Sequence, residues 1–203
     1  MIPAEEALER LRAGNARFVA ETRSDDGNVG QVRRAEVANA QEPFAIVLGC
    51  SDSRVPAELI FDQGLGDLFV IRVAGNIVAA TQIGSIEFAA ERYHTRLVVV
   101  VGHSQCGAIA ATLEALQHGI ETQSRNLQFI VDRVRPAIEP LLATDLRNDS
   151  VALTRAAVRA NIRASADQLR HGSDILEELI KGNGLVIVGA EYSLETGLVE
   201  FLD

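Results

Sequence analysis

Cys50 and Cys106 are the only cysteines of the chain. Each stands just past a short apolar run. FAIVLG over 44–49 leads into Cys50, and LVVVVG over 97–102 leads into His103 and, three positions on, Cys106. A buried strand has no need of an imidazole and a thiol at its end. Two thiolates and one imidazole suit zinc, which favours tetrahedral sulfur and nitrogen ligation. Three protein donors with a fourth position left for water is the pattern of a catalytic site rather than a structural one. The stretch after Cys50, SDSRVPAE, adds Asp52 and Arg54, a carboxylate and guanidinium suited to a bidentate pair. A plainer reading stands beside this one. A lone His after a strand is commonly just hydrogen-bonded, a buried Cys is commonly a small hydrophobe, and SDSR is turn-like. The chemical reading gains from coincidence, because both cysteines fall at the ends of predicted strands.

Those ends must be brought together by the elements around them. The runs at 44–49, 68–75 (LFVIRVAG), 97–102 and 185–189 (LVIVG) are short and continuous, as strands buried on both faces read. LVEFLD at 198–203 alternates and predicts an edge strand. Ile83, Ile86, Ala90 and Tyr93 share a helical face, with Thr81 as the expected N-cap. Residues 106–118 predict a helix ending at Gly119, and 149–171 a long one. Ser173 caps a last helix, which Gly182 and Gly184 stop. Strand–helix alternation predicts an α/β fold around a mostly parallel central sheet with flanking helices. Ligands of such a sheet bind beyond the carboxyl ends of its strands, where Cys50 and Asp52 meet His103 and Cys106 if the two strands are neighbours. The whole chain, 1–203, reads as one domain: an N-terminal helical arm over 1–40 and an α/β core over 41–203. The arm has an apolar stripe of Ala4, Leu8 and Leu11 and fits its own sheet or another subunit. The polar segment 21–33 is expected to be disordered or to cross to a partner.

Composition narrows the partners. With 28 acidic against 19 basic residues, a net charge of −9 and a pI near 5.0, the chain is not built to wrap nucleic acid or an anionic membrane surface. No apolar run approaches the ~20 residues of a bilayer span. Glu5, Glu6 and Glu9 stand where a signal peptide would be basic and then apolar, which predicts a cytoplasmic protein. In that compartment two separated thiols point to metal ligation or catalysis rather than a structural disulfide.

CSDSRVPAE together with GHSQCGA resembles the paired signature of the β-class carbonic anhydrases. The likeness continues through LFVIRVAGN and the closing GAEYSLETGLVEF, and so covers about residues 4–203. It implies one zinc ion per subunit on Cys50, His103 and Cys106, with Asp52 and Arg54 as the catalytic dyad. The implied reaction is reversible hydration of carbon dioxide to bicarbonate and a proton, by attack of zinc-bound hydroxide. The implied fold is a largely parallel sheet with an added antiparallel strand, in a homodimer that exchanges N-terminal arms and often pairs into a tetramer. Gln41, Phe69, Ala74, Gly75 and Phe88 match substrate-side positions of the family, although Ala74 replaces a commoner Val and Phe88 a frequent Tyr. Gly107 lets the backbone after Cys106 approach closely or start a helix. Some relatives swing the aspartate onto zinc and bind bicarbonate in a pocket of Trp, Arg and Tyr. Here Val47 stands at the Trp position, although Gly49, Arg72 and Tyr192 are compatible, so the expectation is an open site with Asp52 held on Arg54.

Three other readings compete. GHSQCG nearly spells a nucleophile elbow with Ser104 or Cys106 as nucleophile, but no convincing acid and His follow. A structural zinc or redox module would gain nothing from Asp52 and Arg54. Hydrolysis of carbonyl sulfide or carbon disulfide uses the same metal set and differs in pocket shape.

Overall fold

The apolar runs come together as one five-stranded sheet in the order β2-β1-β3-β4-β5. The computed structural model describes residues 2–22, 30–119 and 124–202. In chain order the elements are α1 (Ala4–Val19), α2 (Gln31–Val37), β1 (Ala45–Gly49), α3 (Ala57–Ile60), β2 (Leu68–Arg72), α4 (Ala80–Arg92), β3 (Leu97–His103), α5 (Gly107–His118), α6 (Arg125–Ile138), α7 (Ser150–His171), α8 (Asp174–Gly182), β4 (Val186–Tyr192) and β5 (Val199–Leu202). The first four strands are parallel, and β5 adds an antiparallel edge. This is the expected α/β architecture.

The central strands are apolar throughout because helices cover both of their faces. Successive side chains alternate. Ile46, Leu48, Val98, Val100 and Ile187 pack against α4 to α8, while Ala45, Val47, Leu97, Val99 and Val101 pack against α1 and α3. Helix α7 lies close on the first of these faces. A Cβ at Gly102 or Gly189 would come within 2.5–2.6 Å of the Ile162 side chain. Glycine just before His103 therefore lets α7 press against the strand end that carries the site.

Several details depart from the sequence reading. Strand β3 runs one residue further and includes His103 itself. Helix α4 begins at Ala80 behind an extended Ala79 with no side-chain cap, so Thr81 lies in its first turn rather than at the N-cap. Helices α2 and α6 lie where the apolar pattern predicts none. Helix α6 is rich in arginine and contains Pro136, which masks its buried stripe of Val131, Val134 and Ile138. The caps at Gly119 and Ser173 stand as expected, and Asp149, read as the first residue of the long helix, is its N-cap instead. Part of the 21–33 segment is α2, none of whose residues is buried; 23–29 lie outside the described residues.

The arm is not free of its own chain. Helix α1 buries Ala4, Ala7 and Leu11 against β1 and β3, with Leu8 only half-buried. Asn15 ties it down by donating to the carbonyls of Ile60 (3.0 Å) and Gly197 (2.9 Å) and accepting from Val199 N–H (2.9 Å). At Gly14 a Cβ would sit 1.8 Å from the Phe61 carbonyl oxygen. Gly14→Ala must therefore push α1 away from the end of α3, costing about 2–3 kcal/mol and lowering Tm by roughly 5–10 °C for a domain of this size. An unchanged melting curve would show that α1 is not seated there.

Candidate metal centre

Strand β1 pairs with β3 in parallel, Val47 opposite Val99 and Gly49 opposite Val101. One step beyond that register, Cys50 leaves the sheet beside the end of β3. Cys106 is the N-cap of α5. The donor atoms of Cys50, His103 and Cys106 all lie within 4.8 Å of one another, and all three residues are buried. A tetrahedral ion with Zn–S near 2.3 Å and Zn–N near 2.0 Å needs donors about 3.5–4 Å apart, which this cluster accommodates with a small contraction.

The imidazole is set for ligation. Its Nδ1 lies 2.8 Å from the Ser104 carbonyl. A carbonyl only accepts, so Nδ1 carries the hydrogen and Nε2 presents a lone pair. Among the described residues that buried Nε2 has no hydrogen-bond partner. A buried polar nitrogen without a partner is costly, and a cation between the two sulfurs would satisfy it. The thiols show the same need. Cys50 is drawn well below the ordinary thiol range by the Cys106 thiol that donates to it, and Cys106 is pushed up by that pairing and by burial. Burial presses the His103 pKa down, but Cys50 and the Ser104 carbonyl outweigh it and leave the ring above its ordinary value.

At the open side of this trio stands Asp52. Arg54 donates from Nε to Oδ1 (2.9 Å) and from Nη2 to Oδ2 (2.7 Å), and its backbone N–H also reaches Oδ1 (2.9 Å). This fork holds the Asp52 carboxyl far below the usual carboxylate range. Asp52 Oδ2 lies 4.0 Å from His103 Nε2, and both of its carboxylate oxygens are engaged by Arg54. Val47 is fully buried in the sheet, and Arg72 is engaged elsewhere.

The substrate-side residues fall into two groups. Ala74 and Gly75 form a short turn whose Gly75 N–H donates to Cys50 Sγ (3.4 Å). Gly75, with φ +71°, would bring a Cβ to 3.1 Å from Ala108. Gly107 is the first residue of α5, and a Cβ there meets open space, so its place is a helix start and not a close approach. Gln41, Phe69 and Phe88 gather elsewhere. Gln41 donates to the Tyr93 hydroxyl (2.9 Å), and the rings of Phe69, Phe88 and Tyr93 lie 5.7–6.3 Å apart. Gln41 precedes β1 whereas Cys50 follows it, so the strand's whole length, roughly 16 Å, separates them within one chain.

The sequence reading gave no supporting role to four side chains that brace this centre. Arg72 donates to the carbonyls of Cys50 (2.9 Å) and Asp52 (2.5 Å), bracing the loop that carries a donor and the carboxylate. From α7, Asn161 donates to the Gly75 carbonyl and Ser165 to that of Asn76. Polar residues at i and i+4 amid the apolar stripe of α7 were the available signal. Glu195, in the turn between β4 and β5, accepts from Ser104 and Gln105. Nothing short-range marked it.

Two thiols, an imidazole and a carboxylate beside them, all at the carboxyl edge of a parallel sheet, form a cluster that could hold a metal ion in an α/β fold. Comparison with known proteins narrows the class. Residues 45–199 match the family model described as carbonic anhydrase. The chain is 41% identical to a carbonic anhydrase of Mycolicibacterium smegmatis over 96% of its own length and 91% of that protein's. It is 38% identical to carbonic anhydrase 2 of Mycobacterium tuberculosis, with 94% and 89% covered. The fold superposes on a tetrameric β-carbonic anhydrase of Sordaria macrospora with a TM-score of 0.76 at 23% identity, covering 98% of this chain and 95% of that one. It also superposes on a β-carbonic anhydrase of Aspergillus fumigatus with a TM-score of 0.73 at 25% identity, covering 98% and 90%. The chain belongs to the carbonic anhydrase family, in its β class.

Proposed function

We propose that this protein catalyses the reversible hydration of carbon dioxide, with Cys50, His103 and Cys106 holding one zinc ion per subunit and Asp52 and Arg54 acting on the nucleophile. The observation that carries the reading is the Nε2 of His103, which has no hydrogen-bond partner among the described residues, buried beside two sulfurs and 4.0 Å from an ionised carboxylate. Zinc bound there would supply hydroxide at neutral pH, because it lowers the pKa of a coordinated water from ~15.7 toward ~7. Asp52 can only accept, since Arg54 keeps it ionised. It therefore fixes the hydrogen of an oxygen nucleophile beside His103 and leaves a lone pair for the carbon of carbon dioxide. Carbon dioxide and water become bicarbonate and a proton, and the proton passes to solvent or buffer. Arg72 keeps the Cys50–Asp52 loop from drifting as the bond forms.

Ala74, Gly75 and Gly107 border the approach to the trio. Gln41, Phe69 and Phe88 serve the substrate side only where a second copy brings them across, so the working enzyme is a homo-oligomer, a dimer or a pair of dimers. Its acidic surface does not recruit nucleic acid, and no helix among the described residues is long and apolar enough to cross a membrane. The cytoplasm is the compartment in which its two thiols stay reduced.

Metal analysis of purified protein, followed by stopped-flow assay before and after chelation, tests the reading. One zinc per chain is expected, with hydration lost on chelation and restored by added zinc. Activity that survives chelation would favour a serine or cysteine nucleophile. Carbonyl sulfide hydrolysis faster than carbon dioxide hydration in the same instrument would move the assignment to that substrate.

A further inference from the structure

The closing stretch GAEYSLETGLVEF plays no part in the chemistry above, yet its turn reaches the metal centre. Ser193 N–H donates to the Leu198 carbonyl and Gly197 N–H to that of Ser193, both at 2.9 Å, closing a tight turn with Glu195 inside it. Asn15 of α1 holds the Gly197 carbonyl from behind. The Glu195 carboxylate points at the two residues that separate His103 from Cys106. Ser104 Oγ donates to Oε2 at 2.8 Å and Gln105 Nε2 to Oε1 at 2.6 Å, while Ser193 Oγ adds a bond to Oε2 at 3.1 Å. Ser104 is caught twice more, by Leu194 N–H on its hydroxyl (2.9 Å) and through its own N–H on the Tyr192 carbonyl (3.0 Å).

Those two residues are where the ligand loop is least stable alone. Gln105 sits at φ +54°, a left-handed conformation that side chains other than glycine resist. The Ser104 carbonyl is the group that fixes the His103 tautomer. A shift in either residue would turn the imidazole or move the Cys106 sulfur. A carboxylate is acceptor-only with two oxygens, so it can bind a hydroxyl and an amide at once.

We propose that Glu195 is a positioning residue that clamps the Ser104–Gln105 bridge and so holds His103 and Cys106 in register for zinc. The proposal rests on the zinc reading above. Its expected signature is metal retention more than turnover. Partners behind metal ligands are worth about 10–100-fold in metal affinity, and an exposed carboxylate one bond further out belongs at the low end.

The test follows zinc release from the holoenzyme to a chromophoric chelator, with the visible spectrum of the cobalt-substituted protein as a second readout. Glu195→Ala should release zinc about tenfold faster and shift the cobalt bands, with Tm nearly unchanged. Ser193→Ala removes two bonds within the turn, one to the Glu195 carboxylate and one from the Thr196 N–H, but neither bond to the bridge, and should release zinc more slowly than Glu195→Ala. Gln105→Gly relieves the left-handed backbone while losing one arm of the clamp, and should move release in the same direction by less. Parental release and cobalt spectrum in folded Glu195→Ala would overturn the clamp, as would equally fast release from Ser193→Ala. If Glu195→Ala does not fold, parental release in both Gln105→Gly and Ser104→Ala overturns it instead. A parent that holds no zinc sinks the metal reading itself; a parent that holds it beside a Glu195→Ala that holds it equally well sinks the clamp alone.

Discussion

Cys106→Ser should yield a folded protein that no longer holds stoichiometric zinc and hydrates carbon dioxide more than about 10³-fold slower than the parent. The sulfur is one of three donors packed within 4.8 Å of one another. A serine hydroxyl fills nearly the same space, so the Cys106 niche, only 1% exposed, does not collapse as it would with alanine. It does not ionise at neutral pH, and zinc binds thiolate rather than hydroxyl. The loss should therefore appear in metal content first and in rate as a consequence, with circular dichroism unchanged. Retention of one zinc per chain and of parental rate would show that Cys106 is a core residue and not a ligand.

Asp52→Asn should behave oppositely. Zinc stays stoichiometric, while the hydration rate falls about 10²-fold, the lower range for loss of a positioned proton acceptor. The amide keeps the size of the carboxylate but offers one acceptor in place of two and loses its charge against Arg54. The pH profile supplies the sharper test. Arg54 holds the Asp52 pKa below its ordinary value, so the group binds its proton less readily folded than unfolded. The stabilising pair is then fully present above the unfolded value of about 4 and is lost only as pH falls through the depressed folded value. Across pH 5 to 9 Asp52 does not titrate. Asp52→Asn removes a negative charge beside the nucleophile, so it should lower the pH–rate curve and move its midpoint down, because ionisation of the nucleophile is no longer opposed. A midpoint moved upward would show that the Asp52 carboxylate does not stand beside the ionising group.

Much of this could be read along the chain. The strand cores announced themselves because residues buried on both faces must be apolar in an unbroken run, and four such runs became four strands, with the alternating LVEFLD becoming the antiparallel edge. Gly119 acts through its own left-handed backbone and Ser173 through a bond to Leu176 three residues on, so a local reading suffices. Cys50, His103 and Cys106 stood out because cysteine is scarce here and the chemistry of sulfur and imidazole is narrow. Helix α6 hid because its buried stripe is interleaved with arginines, and Thr81 misled because a helix can start without a side-chain cap.

What the order of residues settled was which groups exist and at which end of which element each one stands. Folding settled which of them meet. The adjacency of β1 and β3 turns two short motifs into one metal centre. The same packing sets Gln41 a strand's length from the cysteine it precedes, and it delivers Glu195 to a serine 91 positions away in the chain. Helical and extended periodicity are properties of neighbouring residues, legible in a window of a dozen. Strand order, register and the reach of a turn depend on how whole faces pack, and no window of that size contains them.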